Sequence, residues 1–446
     1  MRAHYGKATA AFAIASALAL AGCSGGSGEG GTTADAAAAS CEPASGPVEL
    51  TFTTWVPGMD KVVDLWNKEN ENIQVKVQTG PNGNSGTYQN FFNQLQAGNA
   101  PDLGQIEYDA LPNFRVQDGL ENIAACEGVA GAKDKFVDWT WGQVTFNEAD
   151  AVYAVPQDSG PMAMFYRADL FKEAGIKVPT TWDEYAAAAE QIRARGSYIT
   201  NFPRGDVNWF AGNVWQAGGQ WFSSANDQWE VKLTGEESAK VATYWQDLLA
   251  KKQVSTLPSF SDEWNASFNE GQQWTWVSAV WGASTLASGA PDTAGKWAVA
   301  PMPQWEQGGK AAGNWGGSST AVLKGSKHPY EASKFALWLN TDPEALALAN
   351  ELGGLYPAAK SATDLDAFTG GVDYFGGQKI YEVFAEASAN VDPNFTWGPT
   401  MTQTYTDVSD GFGKAAGGSG TLLDALRNGE KKTIDSLKSQ SIPVKE

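Results

Sequence analysis

YAVPQDSGPMAMFYRADLFKEAGIKVPTTWDEYAAAAEQI, residues 153–192, is the stretch that best indicates the fold class of this chain. An apolar strand and a polar turn precede a second strand at 165–167. Thr181 with Glu184 three residues later forms a capping box, which predicts a helix over about 182–195. Strands that alternate with helices are typical of an α/β protein.

The region before this stretch has the same alternation. A β-rich run at 48–56 is followed by an amphipathic helix at 59–70 and an alternating strand at 73–78. A further helix ends at Gly98, and another strand follows Asp102. This order predicts a mostly parallel sheet covered by helices.

Length and charge limit the classes of function. The chain has 446 residues, with 31 basic and 51 acidic side chains and a net charge of −20. Roughly 400 residues form the body that follows the N-terminal segments, which is too many for one ordinary core and predicts two domains. The acidic balance argues against nucleic acid or anionic lipid as a partner, because both require clustered Lys and Arg.

The N-terminus has the pattern of a secretory signal. Arg2 and Lys7 precede an apolar run at 8–20, which is shorter than the ~20 residues that span a bilayer. The following Leu20-Ala21-Gly22-Cys23 resembles a lipobox, in which the signal peptide (1–22) is removed and Cys23 is lipidated. An ordinary signal peptide cut nearby is the alternative. The mature protein is therefore expected outside the cytoplasm, anchored to the outer face of the cell membrane.

Residues 23–47 are mostly Gly, Ser, Ala and Thr and predict a flexible tether. With Cys23 lipidated, Cys41 and Cys126 remain as a possible disulfide pair in an oxidising compartment. Two unpaired thiols are the alternative.

Several blocks in fixed order resemble the family 1 extracellular solute-binding proteins, which serve bacterial ATP-binding cassette (ABC) importers. The stretch at 153–192 has the family's central order of elements. The other blocks are Val48-Glu49-Leu50-Thr51-Phe52-Thr53-Thr54-Trp55, Ala97-Gly98-Asn99-Ala100-Pro101-Asp102, Phe268-Asn269-Glu270-Gly271 with Trp281, Gly316-Gly317 with Ser326-Lys327 and 332–339, and Gly353-Gly354-Leu355-Tyr356-Pro357. Together they cover nearly everything from residue 48 onward.

The resemblance implies the two-lobed, maltose-binding-protein-like fold (type II, Venus-flytrap), with each lobe a mostly parallel sheet flanked by helices. By analogy, residues 48–156 plus 319–360 form the N-terminal lobe and 157–318 plus 361–446 the C-terminal lobe, joined by a multi-strand hinge. A carbohydrate, expected to be a di- or oligosaccharide, would bind between the lobes and shift them toward closure. Importer permease subunits are the implied partners. A monomer without cofactor or metal is expected.

Aromatic candidates for the site come from nineteen tryptophans. Flat indole rings stack on the apolar faces of sugars at little entropic cost, although most tryptophans belong to cores. Trp55 ends the opening strand, and Trp315 interrupts a Gly-rich connection. The family resemblance adds Trp281, Trp397 and the pair Asn208-Trp209.

Polar candidates are three carboxylates, which accept hydrogen bonds from hydroxyls strongly. Glu107 and Asp109 follow a strand where family members place hydroxyl acceptors, and Asp158 lies at the presumed hinge.

Two other classes stay open on the sequence. A non-sugar solute such as a polyamine, phosphodiester or peptide would suit the same fold. A secreted carbohydrate-active enzyme would need two carboxylates, and Glu107 with Asp158 could be imagined in that role. Only His4 and His328 are available as imidazole ligands, and no HExxH, CxxC pair, P-loop or GxSxG motif occurs. A non-enzyme is therefore the expectation.

Overall fold

A computed structural model describes residues 41–146, 148–225 and 228–445 of the chain. The predicted signal peptide, the predicted lipidation site Cys23 and most of the predicted tether lie outside the described residues. Within the described ranges, no helix combines the length and the apolar character needed to cross a membrane.

The strands, numbered along the sequence, are β1 (Val48–Thr54), β2 (Ile73–Thr79), β3 (Leu103–Glu107), β4 (Ala154–Pro156), β5 (Met162–Arg167), β6 (Thr200–Asn201), β7 (Phe222–Ala225), β8 (Gln228–Val231), β9 (Val254–Ser255), β10 (Thr275–Ala279), β11 (Trp297–Pro301) and β12 (Ser318–Val322). The α-helices are α1 (Met59–Glu69), α2 (Thr87–Ala97), α3 (Leu111–Val116), α4 (Asp138–Thr145), α5 (Ala168–Ala174), α6 (Trp182–Arg193), α7 (Val207–Gln216), α8 (Glu236–Ala250), α9 (Asp262–Asn269), α10 (Gly282–Gly289), α11 (Pro329–Leu339), α12 (Pro343–Gly353), α13 (Asp366–Thr369), α14 (Ile380–Ala389), α15 (Met401–Ala416) and α16 (Leu422–Ser439).

The first lobe is built on a five-stranded sheet of order β2-β1-β3-β12-β4. Strand β1 runs parallel to β2 and β3, whereas β12 runs antiparallel to β3 and β4. Helix α1 packs against β2 and helix α11 against β12. The central strands have apolar residues on both faces because helices cover the sheet.

The second lobe repeats this arrangement. Strand β5 pairs antiparallel with β10 and β11, and β6 pairs parallel with β9. The backbone N–H of Thr275 donates to the Ile199 carbonyl at 2.7 Å, and that of Tyr198 to the Gln272 carbonyl at 2.7 Å. These bonds join β6 to β10, so the strand order is β9-β6-β10-β5-β11.

The two-lobed α/β fold class is confirmed, and four of the five strands in each sheet run in the same direction, as expected for mostly parallel sheets. One strand in each sheet runs antiparallel to its neighbours, namely β12 in the first sheet and β5 in the second. Each is the first strand that the chain forms after it has crossed from the other lobe. The exact lobe boundaries stay a prediction. Strand β12 begins at Ser318, one residue before the expected start of that segment.

Tryptophan side chains form much of the core. Trp66, Trp182 and Trp245 are at most 2% exposed, in agreement with their positions on apolar helix faces. In the first turn of α6, Trp182 donates its Nε1–H to Gln216 Oε1 at 3.0 Å, so burial leaves this polar group paired.

Cys41 and Cys126 form a disulfide between residues that are 85 positions apart in the sequence.

Replacement of both cysteines by Ala should lower the free energy of unfolding by on the order of 4 kcal/mol, since the bridge restricts a long loop of the unfolded chain. Urea unfolding with and without a reductant measures this difference. A change below about 1 kcal/mol would contradict the expected role of the bridge.

Candidate functional site

A cavity of about 600 Å³ lies where the two lobes face each other. The first lobe contributes the turn at 82–84 and the ends of β1 and β3, and the second lobe contributes 205–208, Phe260, Trp281 and Tyr405. Segments that connect the lobes complete the lining. Its residues are Trp55, Asn82, Asn84, Gln105, Glu107, Asp109, Asp158, Ser159, Gly205, Asp206, Val207, Asn208, Phe260, Trp281, Trp315, Gly316, Gly317, Ser318, Gly353, Gly354, Leu355, Tyr356 and Tyr405.

Asp109 joins the two lobes across this cavity. Its Oδ2 accepts hydrogen bonds from Asn208 Nδ2 at 2.9 Å and from Tyr405 Oη at 2.8 Å, both in the second lobe. Thr402 Oγ1 adds a bond across the lobes to Asn84 Oδ1 at 2.8 Å. The lobes of this structure are therefore in direct polar contact.

One oxygen of the same carboxylate has no partner in the described structure. Asp109 is 4% exposed, yet its Oδ1 accepts no hydrogen bond, and Asn208 Oδ1 and Ser159 Oγ are likewise buried and unpartnered. Buried polar atoms of this kind are costly unless a partner arrives. Two of the three can only accept hydrogen bonds, so a molecule that offers donors would satisfy them.

Asp158 has a different environment at the first crossing between the lobes. Its Oδ1 accepts hydrogen bonds from the backbone N–H and the Oγ of Ser318, both at 2.6 Å, and its carbonyl accepts one from Tyr108 Oη at 3.0 Å. Gln105 also donates to Ser318 Oγ, at 3.0 Å. Burial raises the pKa of Asp158, and the bonds from Ser318 oppose that rise. This carboxylate thus holds two crossing segments together at the cavity wall.

Aromatic rings form two walls of the cavity. The rings of Trp281 and Trp315 lie 4.5 Å apart at 61°, and Trp281 Nε1 donates to the Trp315 carbonyl at 3.1 Å. Trp55 belongs to the first lobe and contacts Tyr88 edge to face at 5.9 Å. Trp55 and Trp281 are only partly buried, so they offer ring surface to a bound molecule.

The lining is acidic and contains no Lys, Arg or His. Burial raises the pKa of Glu107 to about 8, and the charge of Asp109 adds to this, while a hydrogen bond from Tyr88 opposes it. Burial likewise raises the pKa of Asp206 to about 6. The site favours neutral or positively charged molecules, because no cation of the protein lines it to pair with an anion.

Seven of the nine candidate ligand-binding residues line the cavity, namely Trp55, Glu107, Asp109, Asp158, Asn208, Trp281 and Trp315. Contact with a ligand remains a prediction for these seven.

Trp209 and Trp397 lie in the core instead. Asp206 caps α7 and accepts the Trp209 backbone N–H at 3.0 Å. Successive helical residues point about 100° apart. While Asn208 therefore faces the cavity, Trp209 packs inward and donates its Nε1–H to the Val277 carbonyl at 2.9 Å. Trp397 is 3% exposed, and its ring lies 4.8 Å from that of Phe395.

Four further side chains line the cavity without having been predicted from the sequence, namely Asp206, Phe260, Tyr356 and Tyr405. Asp206 precedes an apolar helical run and could have been recognised as an N-cap. Tyr356 lies within the quoted Gly353-Gly354-Leu355-Tyr356-Pro357 block. No local pattern marks Phe260 or Tyr405.

In the described part of the chain, no group of three or more His, Cys, Asp or Glu side chains is arranged to hold a metal ion.

Comparisons with known proteins agree with this architecture. The family model for bacterial extracellular solute-binding proteins matches residues 52–346. An arabinooligosaccharide-binding protein of Halalkalibacterium halodurans is 26% identical over 361 residues, which are 78% of this chain and 80% of that protein.

Two solved structures are also similar. The galacto-N-biose/lacto-N-biose I-binding protein of an ABC transporter from Bifidobacterium longum, in complex with lacto-N-biose, has a TM-score of 0.80 and 29% identity. An ABC-transporter-associated binding protein from B. animalis subsp. lactis Bl-04, in complex with β-1,6-galactobiose, has a TM-score of 0.77 and 32% identity. Each alignment covers 90% of this chain and 100% of the other chain.

The chain therefore belongs to the bacterial extracellular solute-binding protein family. Membership places the protein outside the cytoplasm, as predicted. The relatives named above are binding proteins, in agreement with the expectation of a non-enzyme.

The raised pKa of Glu107 predicts a pH-dependent stability. Between its usual value of 4.5 and about 8, the folded protein holds a proton on this carboxyl that the unfolded chain releases. The contribution of Glu107 to stability should therefore fall as pH rises through this window. The variant Glu107→Gln should gain stability relative to the wild type between pH 5 and 8, as measured by urea unfolding. Glu351→Gln, a change of an exposed carboxylate on α12, is the control and should follow the wild-type curve; a constant difference for Glu107→Gln would contradict the expectation.

Proposed function

We propose that this protein captures a neutral di- or oligosaccharide in the cavity between its lobes and delivers it to the permease of an ABC importer. The supporting observation is the combination of partly exposed tryptophan rings with buried, unpartnered acceptors, Asp109 Oδ1 and Asn208 Oδ1. The apolar face of a sugar ring can stack on the tryptophan rings, and its hydroxyl groups can donate hydrogen bonds to the unpartnered acceptors. The complexes of two similar proteins with disaccharides support the same substrate class.

The proposed mechanism is closure of the lobes on the ligand. Asp109 Oδ1 in the first lobe and Asn208 Oδ1 in the second are both unpartnered, so a ligand that donates to both would touch both lobes at once. Interactions available only in the closed state shift the population toward it. A closed, loaded protein is the form proposed to dock on the permease, as a monomer held to the membrane through lipidated Cys23.

A cationic solute such as a polyamine is the second candidate. The lining carboxylates Asp109, Asp158 and Asp206, without a basic side chain among the lining residues, favour it. The aromatic walls and the sugar-bound relatives favour a saccharide over a polyamine.

A thermal-unfolding screen tests the proposal. A ligand that binds only the folded state raises the melting temperature, by the equivalent of about 2.7 kcal/mol at 100 times its Kd. We expect stabilisation by a neutral saccharide and none by uronic acids of the same size. Stabilisation by polyamines alone would favour the second candidate. Cleavage of the stabilising sugar would instead support the enzyme alternative.

Trp281 is expected to supply stacking area. Trp281→Ala should weaken saccharide binding at least about tenfold, which corresponds to ~1.4 kcal/mol, whereas Trp281→Phe should retain part of the affinity. Isothermal titration calorimetry measures both.

Trp338→Ala is the matched control, because Trp338 packs 5.3 Å from Trp66 in the first lobe, outside the cavity lining. This variant should lose stability and keep its affinity. Unchanged affinity in a folded Trp281→Ala protein would remove Trp281 from the site.

A further inference from the structure

A second cavity adjoins the central one. This side cavity has a volume of about 610 Å³ and is lined by Arg204, Gly205, Asp206, Leu257, Pro258, Ser259, Phe260, Ser409, Asp410 and Gly413. Gly205, Asp206 and Phe260 line both cavities. The two cavities therefore meet at these three residues.

Phe260 at this junction is unusually exposed. Its side chain is 49% exposed, and among the described residues Val116 is the only other large hydrophobic residue that is exposed. The ring lies 5.2 Å from that of Trp264 and 6.3 Å from that of Trp281. Phe260 therefore extends the aromatic wall of the central cavity toward the side cavity.

The backbone of Phe260 is also strained. The N–H of Ser261 donates to the Pro258 carbonyl at 3.3 Å, which closes a turn with Phe260 as its third residue. The φ angle of Phe260 is +64°, a left-handed conformation that glycine adopts without cost and phenylalanine does not. A strained, exposed aromatic residue beside a binding cleft indicates a function in binding rather than in folding.

We propose that the ligand is an oligosaccharide of three or more rings, which runs from the central cavity past Phe260 into the side cavity. This inference rests on the proposed function and narrows its substrate class. Phe260 stacks on the sugar ring at the junction. Arg204, Ser409 and Asp410 offer donors and acceptors to the hydroxyls of the outer ring.

The test measures how affinity depends on chain length. Titration calorimetry would use β-1,6-linked galacto-oligosaccharides and arabino-oligosaccharides of two to five rings. In the wild-type protein, affinity should rise about tenfold from two rings to four, as expected for one added stacking contact with its hydrogen bonds. In Phe260→Gly the ratio between four-ring and two-ring affinity should fall toward one.

Two further variants separate binding from folding. Phe260→Gly should keep or raise the melting temperature because glycine relieves the left-handed strain, so lost affinity cannot be ascribed to unfolding. Ser409→Leu, a change on α15 within the side cavity, should lower the same ratio by filling that space. Val116→Ala, which removes exposed apolar surface that lines neither cavity, should leave the ratio unchanged.

Affinity that does not change beyond two rings, or a ratio that Phe260→Gly leaves intact, would overturn this inference while saccharide binding stands. If neither oligosaccharide series binds, the thermal-unfolding screen identifies a neutral disaccharide that stabilises the protein. Oligomers of that disaccharide then serve as the probes. The absence of any stabilising saccharide would overturn the proposed function and this inference with it.

Discussion

The Asp109 carboxylate is the interaction on which the geometry of the cleft depends. It follows β3 in the first lobe, and its Oδ2 accepts bonds from Asn208 and Tyr405 in the second. Burial raises its pKa, against the effect of these two hydrogen bonds. A buried charge with only part of its hydrogen-bonding capacity used is unfavourable, and a ligand donor at Oδ1 would remove that cost. One side chain can thus couple occupancy of the cavity to contact between the lobes.

The connections between the lobes keep this carboxylate in position. Asp158 on the first crossing binds Ser318 at the end of the second, and Gln105 on β3 binds the same serine. Because Gln105, Glu107 and Asp109 lie on or directly after β3, the same strand positions the hinge contacts and the ligand-facing acids. A substitution at the hinge should therefore change the position of the site residues, even where the substituted residue does not contact a ligand.

Local sequence signals predicted the elements well, and long-range packing explains where they failed. The capping box of Thr181 and Glu184 is formed, and α6 starts at Trp182 as expected. By contrast, Tyr405 reaches Asp109 across a sequence separation of 296 residues, which no local pattern encodes. The sequence also did not indicate which side of α7 faces the cavity. Asn208 faces the cavity, whereas the next residue, Trp209, lies about 100° further round the helix and packs in the core. The reversed direction of β5 and β12 had no signal in the sequence, because periodicity identifies strands but not the end from which they enter a sheet.

The most direct test of this account is calorimetric titration of Asp109→Asn with the saccharide that stabilises the wild-type protein. The substitution keeps the size of the side chain and removes its charge, so the ligand loses a charge-assisted hydrogen bond of about 1.5–3 kcal/mol. We predict a loss of affinity of roughly 10- to 100-fold in a folded protein. Wild-type affinity in the folded variant would contradict the central role of this carboxylate.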